Sequence, residues 1–157
     1  MTRGSAGRDA FAVALALLTG RALTAGELAE RLRRRGYDEA AVESACARAA
    51  ACGCLDDRRT AASWAEAAVR LRGYGPRRVR EGLARRLVPP DLIEETLALA
   101  VGDDGEARLA RDALARWERT RGGSAADRRR AAYAHRLRRG FSMSAARAAL
   151  FNRPEDV

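Results

Sequence analysis

The carboxylates that could cooperate in acid–base chemistry lie in adjacent pairs along the chain. Asp56 and Asp57 form one pair, and Asp103 and Asp104 form another. Residues one position apart on a helix do not face each other, so this spacing is poorly suited to two carboxylates that share a substrate. Short acidic side chains ahead of a helix are typical N-caps. We therefore expect helix capping at both pairs and predict no catalytic residue.

Metal ligands and nucleophiles are equally sparse. Cys52 and Cys54 flank Gly53, and the single histidine, His135, lies more than eighty positions further along. A structural zinc site needs four ligands at suitable spacing, which one Cys-Gly-Cys does not supply. The chain also lacks a phosphate-cradling glycine loop and a Ser/His/Asp order. The sequence predicts no metal, no cofactor and no enzymatic activity.

Arginine is the side chain with the greatest capacity for binding. All 30 basic residues are arginine against 21 acidic residues, which gives a formal net charge of +9. The chain lacks lysine and glutamine and is rich in alanine, so a compositional bias contributes to this charge. Residues 103–157 carry 13 basic and 8 acidic side chains, and they hold most of the excess.

Arginine clusters recur at 33–35, at 85–86 and at 136–139, near the expected ends of helices. Cations there offset the helix dipole by about 0.3–1 kcal/mol each, which needs no partner. Alternatively, their recurrence in stacked units forms a basic stripe that binds a partner or DNA. Both interpretations stay open. The candidate contact residues are Arg33, Arg34, Arg35, Tyr74, Arg77, Arg78, Arg80, Arg85, Arg86, Arg128, Arg129, Arg130, Arg138 and Arg139.

Base-specific reading of DNA is poorly supported by the composition. Recognition of adenine needs asparagine or glutamine, and the chain offers only Asn152. We expect recognition of the phosphate backbone, or of a protein filament that itself coats DNA.

Helical signals dominate the elements that must position these residues. Apolar residues recur every three or four positions, β-branched residues are few, and no strand is predicted. The first helix is expected from about Asp9 to Leu18. Thr24 and Glu27 have the spacing of a capping box, which starts a second helix. Further starts are expected after Asp38, after Asp56 or Asp57, at Gly75-Pro76 and at Pro89-Pro90.

The pattern repeats with an offset of 51 residues. Leu28 and Leu32 correspond to Val79 and Leu83, and a looser third copy places Gly140-Phe141-Ser142 opposite Gly36-Tyr37-Asp38. A unit of two or three short helices buries its apolar stripe poorly alone. The sequence therefore predicts an all-α fold of three tandem three-helix repeats, stacked on a continuous core into an elongated, curved body. The predicted units are 9–54, 55–102 and 103–152.

Three aromatic residues carry separate predictions. Tyr74 lies between Gly73 and Gly75 at a repeat junction, where it could anchor a partner or fill the gap between repeats. Both roles stay open. Trp64 and Trp117 lie among alanines in the middle of expected helices, so both are predicted to pack in the core.

The chain carries no segment of the roughly 20 apolar residues that a bilayer-spanning helix needs. Its three cysteines are odd in number, which favours a reducing compartment over a disulfide framework. We expect a cytoplasmic monomer.

Two runs carry a family resemblance. Leu-Asp-Asp-Arg-Arg at 55–59, followed by Arg-Gly-Tyr-Gly-Pro-Arg-Arg-Val at 72–79, resembles the RecX family of bacterial recombination regulators. The stretch 27–37 and the run Arg-Arg-Gly-Phe-Ser at 138–142 are similar to the first and C-terminal repeats of that family. The resemblance covers residues 10 to 151.

This resemblance implies a function that the residues alone do not identify. RecX-like proteins are tandem three-helix proteins that bind the RecA recombinase filament on single-stranded DNA. They usually lower its ATPase, recombinase and strand-exchange activity, as negative regulators in DNA repair and the SOS response. The implied partners are RecA and single-stranded DNA, contacted directly or through RecA, and duplex DNA stays open as a further partner.

Two other functions remain compatible with the sequence. The main alternative is a helical DNA-binding module that grips the phosphate backbone without a recombinase, which predicts a steep salt dependence of binding. A general helical scaffold for another protein predicts weak salt dependence and no response to DNA.

Overall fold

The computed structural model describes residues 9–102, 105–119 and 125–151, and these form nine helices and no strand. The helices are α1 (Ala10–Gly20), α2 (Ala25–Arg33), α3 (Glu39–Ala51), α4 (Asp57–Arg70), α5 (Pro76–Arg85), α6 (Pro90–Val101), α7 (Gly105–Glu118), α8 (Ala125–Arg138) and α9 (Met143–Phe151). The all-α prediction is confirmed. The residues at 103–104 and 152, which carried predictions above, lie outside the described part.

Local capping chemistry explains where most of these helices begin. The Thr24 hydroxyl accepts from the Glu27 amide, and the Glu27 carboxylate accepts from the Thr24 amide at 3.0 Å, which confirms the capping box. Asp38 and Asp56 cap α3 and α4 in the predicted way. The helices α5 and α6 begin with proline, whose fixed φ and missing N–H suit the first turn.

Consecutive helices pack in groups of three. Helices α1, α2 and α3 contact one another and form the first triplet; α4, α5 and α6 form the second, and α7, α8 and α9 the third. Helices α6 and α7 also touch across the second and third triplets. The chain order therefore agrees with three-helix repeats, and the proposed unit boundaries and the elongated, curved shape stay predictions.

The apolar core is divided, contrary to the expectation of one continuous core. The first triplet buries its own cluster around Leu28, Leu32 and Val42. A second cluster joins the second and third triplets and includes Val79, Leu83 and Phe141. The first and second triplets meet instead through polar groups, as described below.

The third triplet departs from the repeat at one buried position. Gly140 corresponds to Gly36, so Arg136 takes the place that Leu32 holds in the first triplet. Arg136 is fully buried and donates through Nη1 to the Ala146 carbonyl at 3.1 Å. The expectation that Arg136 contributes to an exposed arginine cluster is therefore wrong, because the helix register turns it inward and leaves Leu137 exposed.

Candidate interaction surface

The first and second triplets meet at a polar junction. Helix α2 points its N-terminal amides at the second triplet, and the Ala25 amide donates to Asp57 at 2.7 Å. Thr24 donates its hydroxyl to the Arg86 carbonyl. The Arg86 guanidinium donates to Glu27 at 3.0 Å and to the Ala22 carbonyl at 3.1 Å, with only 18% of its side chain exposed. Arg86, a candidate contact residue, thus bonds the two triplets together.

Asp57 has a role that sequence reasoning missed. Capping of α4 was expected from Asp56 or Asp57. In the structure, Asp56 caps α4, whereas Asp57 accepts from the first amide of α2 in the preceding triplet. The sequence does contain one signal for this role: a helix N-terminus needs one capping carboxylate, and Asp57 is a second one beside Asp56.

The second and third triplets meet end to end. The amides at the start of α5 face the turn that directly follows α8, with Gly75 donating to the Arg139 carbonyl at 2.7 Å and Arg77 donating to the Gly140 carbonyl at 3.2 Å. The positive end of one helix dipole therefore abuts the negative end of another. A Cβ on Gly75 would lie 2.6 Å from the Gly140 carbonyl carbon, so the absence of a side chain permits this approach.

Tyr74 lies within this second junction. Its half-buried ring packs against the core that the second and third triplets share. The guanidinium carbons of Arg78 and Arg139 lie 4.5 and 5.6 Å from its centroid, which allows cation–π attraction. Arg78 also donates to the Arg138 carbonyl at 2.9 Å. The ring thus fills the gap between repeats, which was one of its two predicted roles.

Besides Arg86, four candidate arginines lie beside carboxylates. Arg33 forms a fork with Glu39 and Arg80 forms one with Glu94, whose two contacts measure 2.7 and 2.9 Å. Hydrogen bonding to the guanidinium lowers the pKa of Glu39 and of Glu94, and the positive charge adds to the effect. The other pairs are Arg34 with Glu30 and Arg77 with Glu81. Their charge is locally offset, which reduces their attraction for an anionic partner.

The remaining candidate arginines divide by position. Arg35, Arg85, Arg130 and Arg138 are exposed, and Arg35 donates to the Arg31 carbonyl at 3.0 Å. The side chains of Arg128 and Arg129 lie outside the part of the chain that the structure describes. The structure therefore brings Tyr74, Arg77, Arg78, Arg138 and Arg139 together at the second junction, whereas residues 33–35 lie at the end of α2 in the first triplet.

Two arginines from the third triplet cap the end of α4. Arg116 of α7 donates to the Arg70 carbonyl, and Arg139 donates to the Arg72 carbonyl. Arg72 and Arg116 were not among the sequence candidates. Single arginines outside clusters carry no signal in the sequence, because their role depends on which helix ends meet.

The two tryptophans occupy different environments. The half-buried Trp64 ring lies over Gly82 and packs against the shared core, in agreement with the core prediction. Trp117 packs against neither apolar core cluster within the described residues. Its half-buried ring instead lies 5.5 Å from the His135 ring, at an angle of 31°. The core prediction for Trp117 therefore does not describe its position.

The thiols do not assemble a metal centre. Cys52 and Cys54 are exposed, and the hydrogen bond between them lowers the pKa of the Cys52 thiol and raises that of Cys54. Burial raises the pKa of Cys46. Within the described ranges, no three side chains of His, Cys, Asp or Glu gather into a metal-binding group. No helix in the same ranges is both long and apolar enough to span a bilayer.

The helix triplets described above match known three-helix domains. Family models described as the first and second three-helix domains of RecX match residues 10–48 and 56–97. Regulatory protein RecX of Thermus thermophilus is 39% identical over 105 residues, which cover 67% of this chain and 72% of that protein. Regulatory protein RecX of Halorhodospira halophila is 36% identical over 156 residues, covering 98% and 93%.

Solved structures show the same fold. The crystal structure of RecX from Lactobacillus salivarius matches with a TM-score of 0.76 at 17% identity, over 90% of this chain and 92% of that one. A second crystal structure, of regulatory protein RecX, matches with a TM-score of 0.71 at 21% identity, over 88% and 68%. The two family models fall on the first and second helix triplets and cover more than half of the sequence, and so this chain belongs to the RecX family of regulatory proteins.

Proposed function

We propose that this chain binds the RecA filament on single-stranded DNA and lowers its ATPase, recombinase and strand-exchange activity. The observation that carries the proposal is the match of two RecX domain models to two successive helix triplets, together with relatives named regulatory protein RecX. The chain acts as a non-enzymatic, monomeric regulator in the cytoplasm under this proposal. It works by binding rather than by catalysis.

The two junctions support binding along a filament. Hydrogen bonds, an ion pair and close backbone contacts hold each triplet against the next, so the contact residues of different triplets keep fixed positions. A preorganised surface loses less conformational entropy when it binds. We propose that Arg86, Arg78, Arg139 and Tyr74 mainly hold these junctions.

The proposed partner contacts are the exposed arginines. Four candidate arginines are exposed and pair with no carboxylate in the described part of the chain: Arg35, Arg85, Arg130 and Arg138. Their charge is therefore available to an acidic partner surface or to phosphates. Arg33, Arg34, Arg77 and Arg80 are proposed as weaker contacts because neighbouring glutamates offset their charge. Arg128 and Arg129 extend the same proposal in α8.

The test compares binding of the fluorescently labelled full chain to RecA-coated and to naked single-stranded DNA. We expect tighter binding to the coated strand. Arg85→Glu should weaken this binding, whereas Arg59→Glu, the same charge change at an exposed arginine outside the proposed surface, should leave it unchanged. Equal binding of both variants would remove Arg85 from the contact surface.

The alternative is a helical DNA-binding module that needs no recombinase. The arginines at the second junction favour it, because several have backbone carbonyls rather than carboxylates as their partners. Each phosphate contact on a single strand contributes about −0.7 to the slope of log affinity against log salt. Equally tight binding to naked and coated DNA, with a steep salt slope, would favour this alternative over filament binding.

A further inference from the structure

A surface cavity of about 210 Å³ lies where the end of α4 meets α7 and the end of α8. Its lining is cationic and aromatic, and none of its eight lining residues, all within the described part, carries a carboxylate. The side chains that matter are Leu71, Arg72, Arg116, Trp117, His135 and Arg139. We infer that this cavity binds one nucleotide unit of a single-stranded nucleic acid, with the phosphate on the arginines and the base against Trp117.

Two of the three cavity arginines, Arg116 and Arg139, are held in place without being neutralised, and the third, Arg72, is exposed. Arg116 donates to the Arg70 and Asp112 carbonyls, and Arg139 donates to the Arg72 carbonyl and to Nε2 of His135 at 3.3 Å. Carbonyl and imidazole acceptors leave the positive charge uncompensated. Each guanidinium has five N–H donors, and these bonds use two of them. The donors that remain suit the bidentate geometry of a phosphate.

The aromatic wall distinguishes this cavity from a simple basic patch. Trp64 packs against the shared core, whereas the Trp117 ring lines the cavity and contacts His135. Leu71 beside it is 82% exposed, an apolar side chain that nothing in the described chain covers. Stacking platforms flanked by arginines are the usual means by which proteins bind single strands without sequence preference.

The size of the cavity favours part of a polymer over a free ligand. Pockets for whole small molecules measure about 300–1,000 Å³, which exceeds this volume. A base can lie on Trp117 only when it is not stacked in a duplex, so a single strand fits better than duplex DNA. This site would let the chain contact the single strand that the recombinase coats. Its role in the cell therefore rests on the proposed function.

The test uses the full chain and an oligodeoxythymidylate without recombinase. The chain has two tryptophans, so Trp64→Phe leaves Trp117 as the only tryptophan fluorophore. We expect the oligonucleotide to quench this fluorescence in a saturable way. Binding that leaves Trp117 emission unchanged would overturn the site, as would the absence of binding at low salt.

Substitutions separate the phosphate contact from the stacking contact. Arg72→Ala should reduce the salt slope by about 0.7. The control Arg59→Ala removes an exposed arginine near the start of α4, at the opposite end from the cavity, and should leave the slope unchanged. Trp117→Leu should weaken binding by about five- to 150-fold. The inference would be overturned if Arg72→Ala and Trp117→Leu both kept the affinity and the salt slope of the parent chain. Thermal melting shows whether each variant folds. If Trp117→Leu does not fold, Arg72→Ala and the fluorescence quenching decide.

A competitor distinguishes nucleic acid from an acidic peptide. Poly-glutamate that displaces the oligonucleotide at equal charge concentration, and quenches Trp117 equally, would show an acidic-peptide site and overturn the inference. Failure of this site is also distinguishable from failure of the proposed function. If only the site fails, the chain still binds the RecA-coated filament but naked single strand does not change Trp117 fluorescence. If only the proposed function fails, the chain binds naked single strand and RecA does not increase its affinity.

Discussion

Replacing Gly140 by alanine should loosen the second junction, and Gly36 provides a matched control. The two glycines occupy corresponding repeat positions and have nearly equal backbone angles, with φ of +85° and +86°. A side chain in this left-handed conformation costs about 1–2 kcal/mol at either position. Their surroundings differ: a Cβ on Gly36 meets nothing within 4 Å, whereas a Cβ on Gly140 would lie 2.5 Å from the Arg78 amide nitrogen.

The expected magnitudes follow from this difference. Gly36→Ala should lower the free energy of unfolding by the backbone strain alone, about 1–2 kcal/mol. Gly140→Ala must also move α5 away from α8, which breaks the two amide–carbonyl bonds of the junction. At about 1 kcal/mol for each bond, the total becomes about 3–4 kcal/mol. That loss is a large part of an ordinary folding stability of about 5–15 kcal/mol.

Urea unfolding of the parent chain and both variants measures these differences. Hydrogen exchange provides a local measurement, because the Gly75 and Arg77 amides should lose protection in Gly140→Ala and keep it in Gly36→Ala. Equal destabilisation by both substitutions, with unchanged protection at Gly75 and Arg77, would refute the description of the junction as a close backbone contact.

Three further predictions concern other parts of the chain. Asp57→Ala removes the acceptor of the Ala25 amide and should lower the free energy of unfolding by about 1–2 kcal/mol in urea denaturation. Gly82→Ala places a Cβ 2.0 Å from the Trp64 ring, so overpacking should cost about 1–3 kcal/mol and change near-ultraviolet circular dichroism. Glu94→Gln should lower the melting temperature at neutral pH, and the difference from the parent chain should shrink as the pH falls below 4.5, the usual pKa of glutamate.

Each of these predictions has a control or a contrary outcome. Asp57→Asn keeps an acceptor oxygen and should retain most of the stability that Asp57→Ala loses; equal losses would point away from the hydrogen bond. Parental stability in Gly82→Ala would contradict the close packing of Trp64. The pKa of Glu94 is lowered in the fold, so its stabilisation is present above the ordinary glutamate pKa and is lost as pH falls through the folded value. A pH-independent difference would contradict that linkage.

The helix starts were predictable because capping is local. Thr24 with Glu27, and Asp38, each pair a side chain with an amide within one turn, and the proline at position 76 acts through its own fixed φ. The burial of Arg136 was also within reach, since Gly140 aligns with Gly36 and so places Arg136 opposite Leu32. The neighbouring arginines indicate an exposed cluster, but the register of the repeat is the better guide at this position.

The junctions were not predictable from local patterns. Asp57 contacts α2 and Arg116 contacts the end of α4 only because of how the helices pack. The second aspartate beside Asp56 indicates a spare carboxylate, but nothing within one turn of Asp57 or Arg116 identifies the helix that each one contacts. The divided core has the same origin, since polar contacts join the first and second triplets where apolar stacking was expected. The alanine neighbours of Trp117 indicate a position in the apolar core. In the structure the ring lies against His135 of α8 instead, a contact that depends on how α7 and α8 pack.

The rate of ATP hydrolysis by the RecA recombinase of the same organism, on single-stranded DNA, tests the central claim most directly. The full chain is added in increasing amounts to preformed filaments, and binding is followed in the same samples. The account predicts a saturable fall in the rate as the chain occupies the filament. An unchanged rate together with no detectable binding to the filament would contradict it.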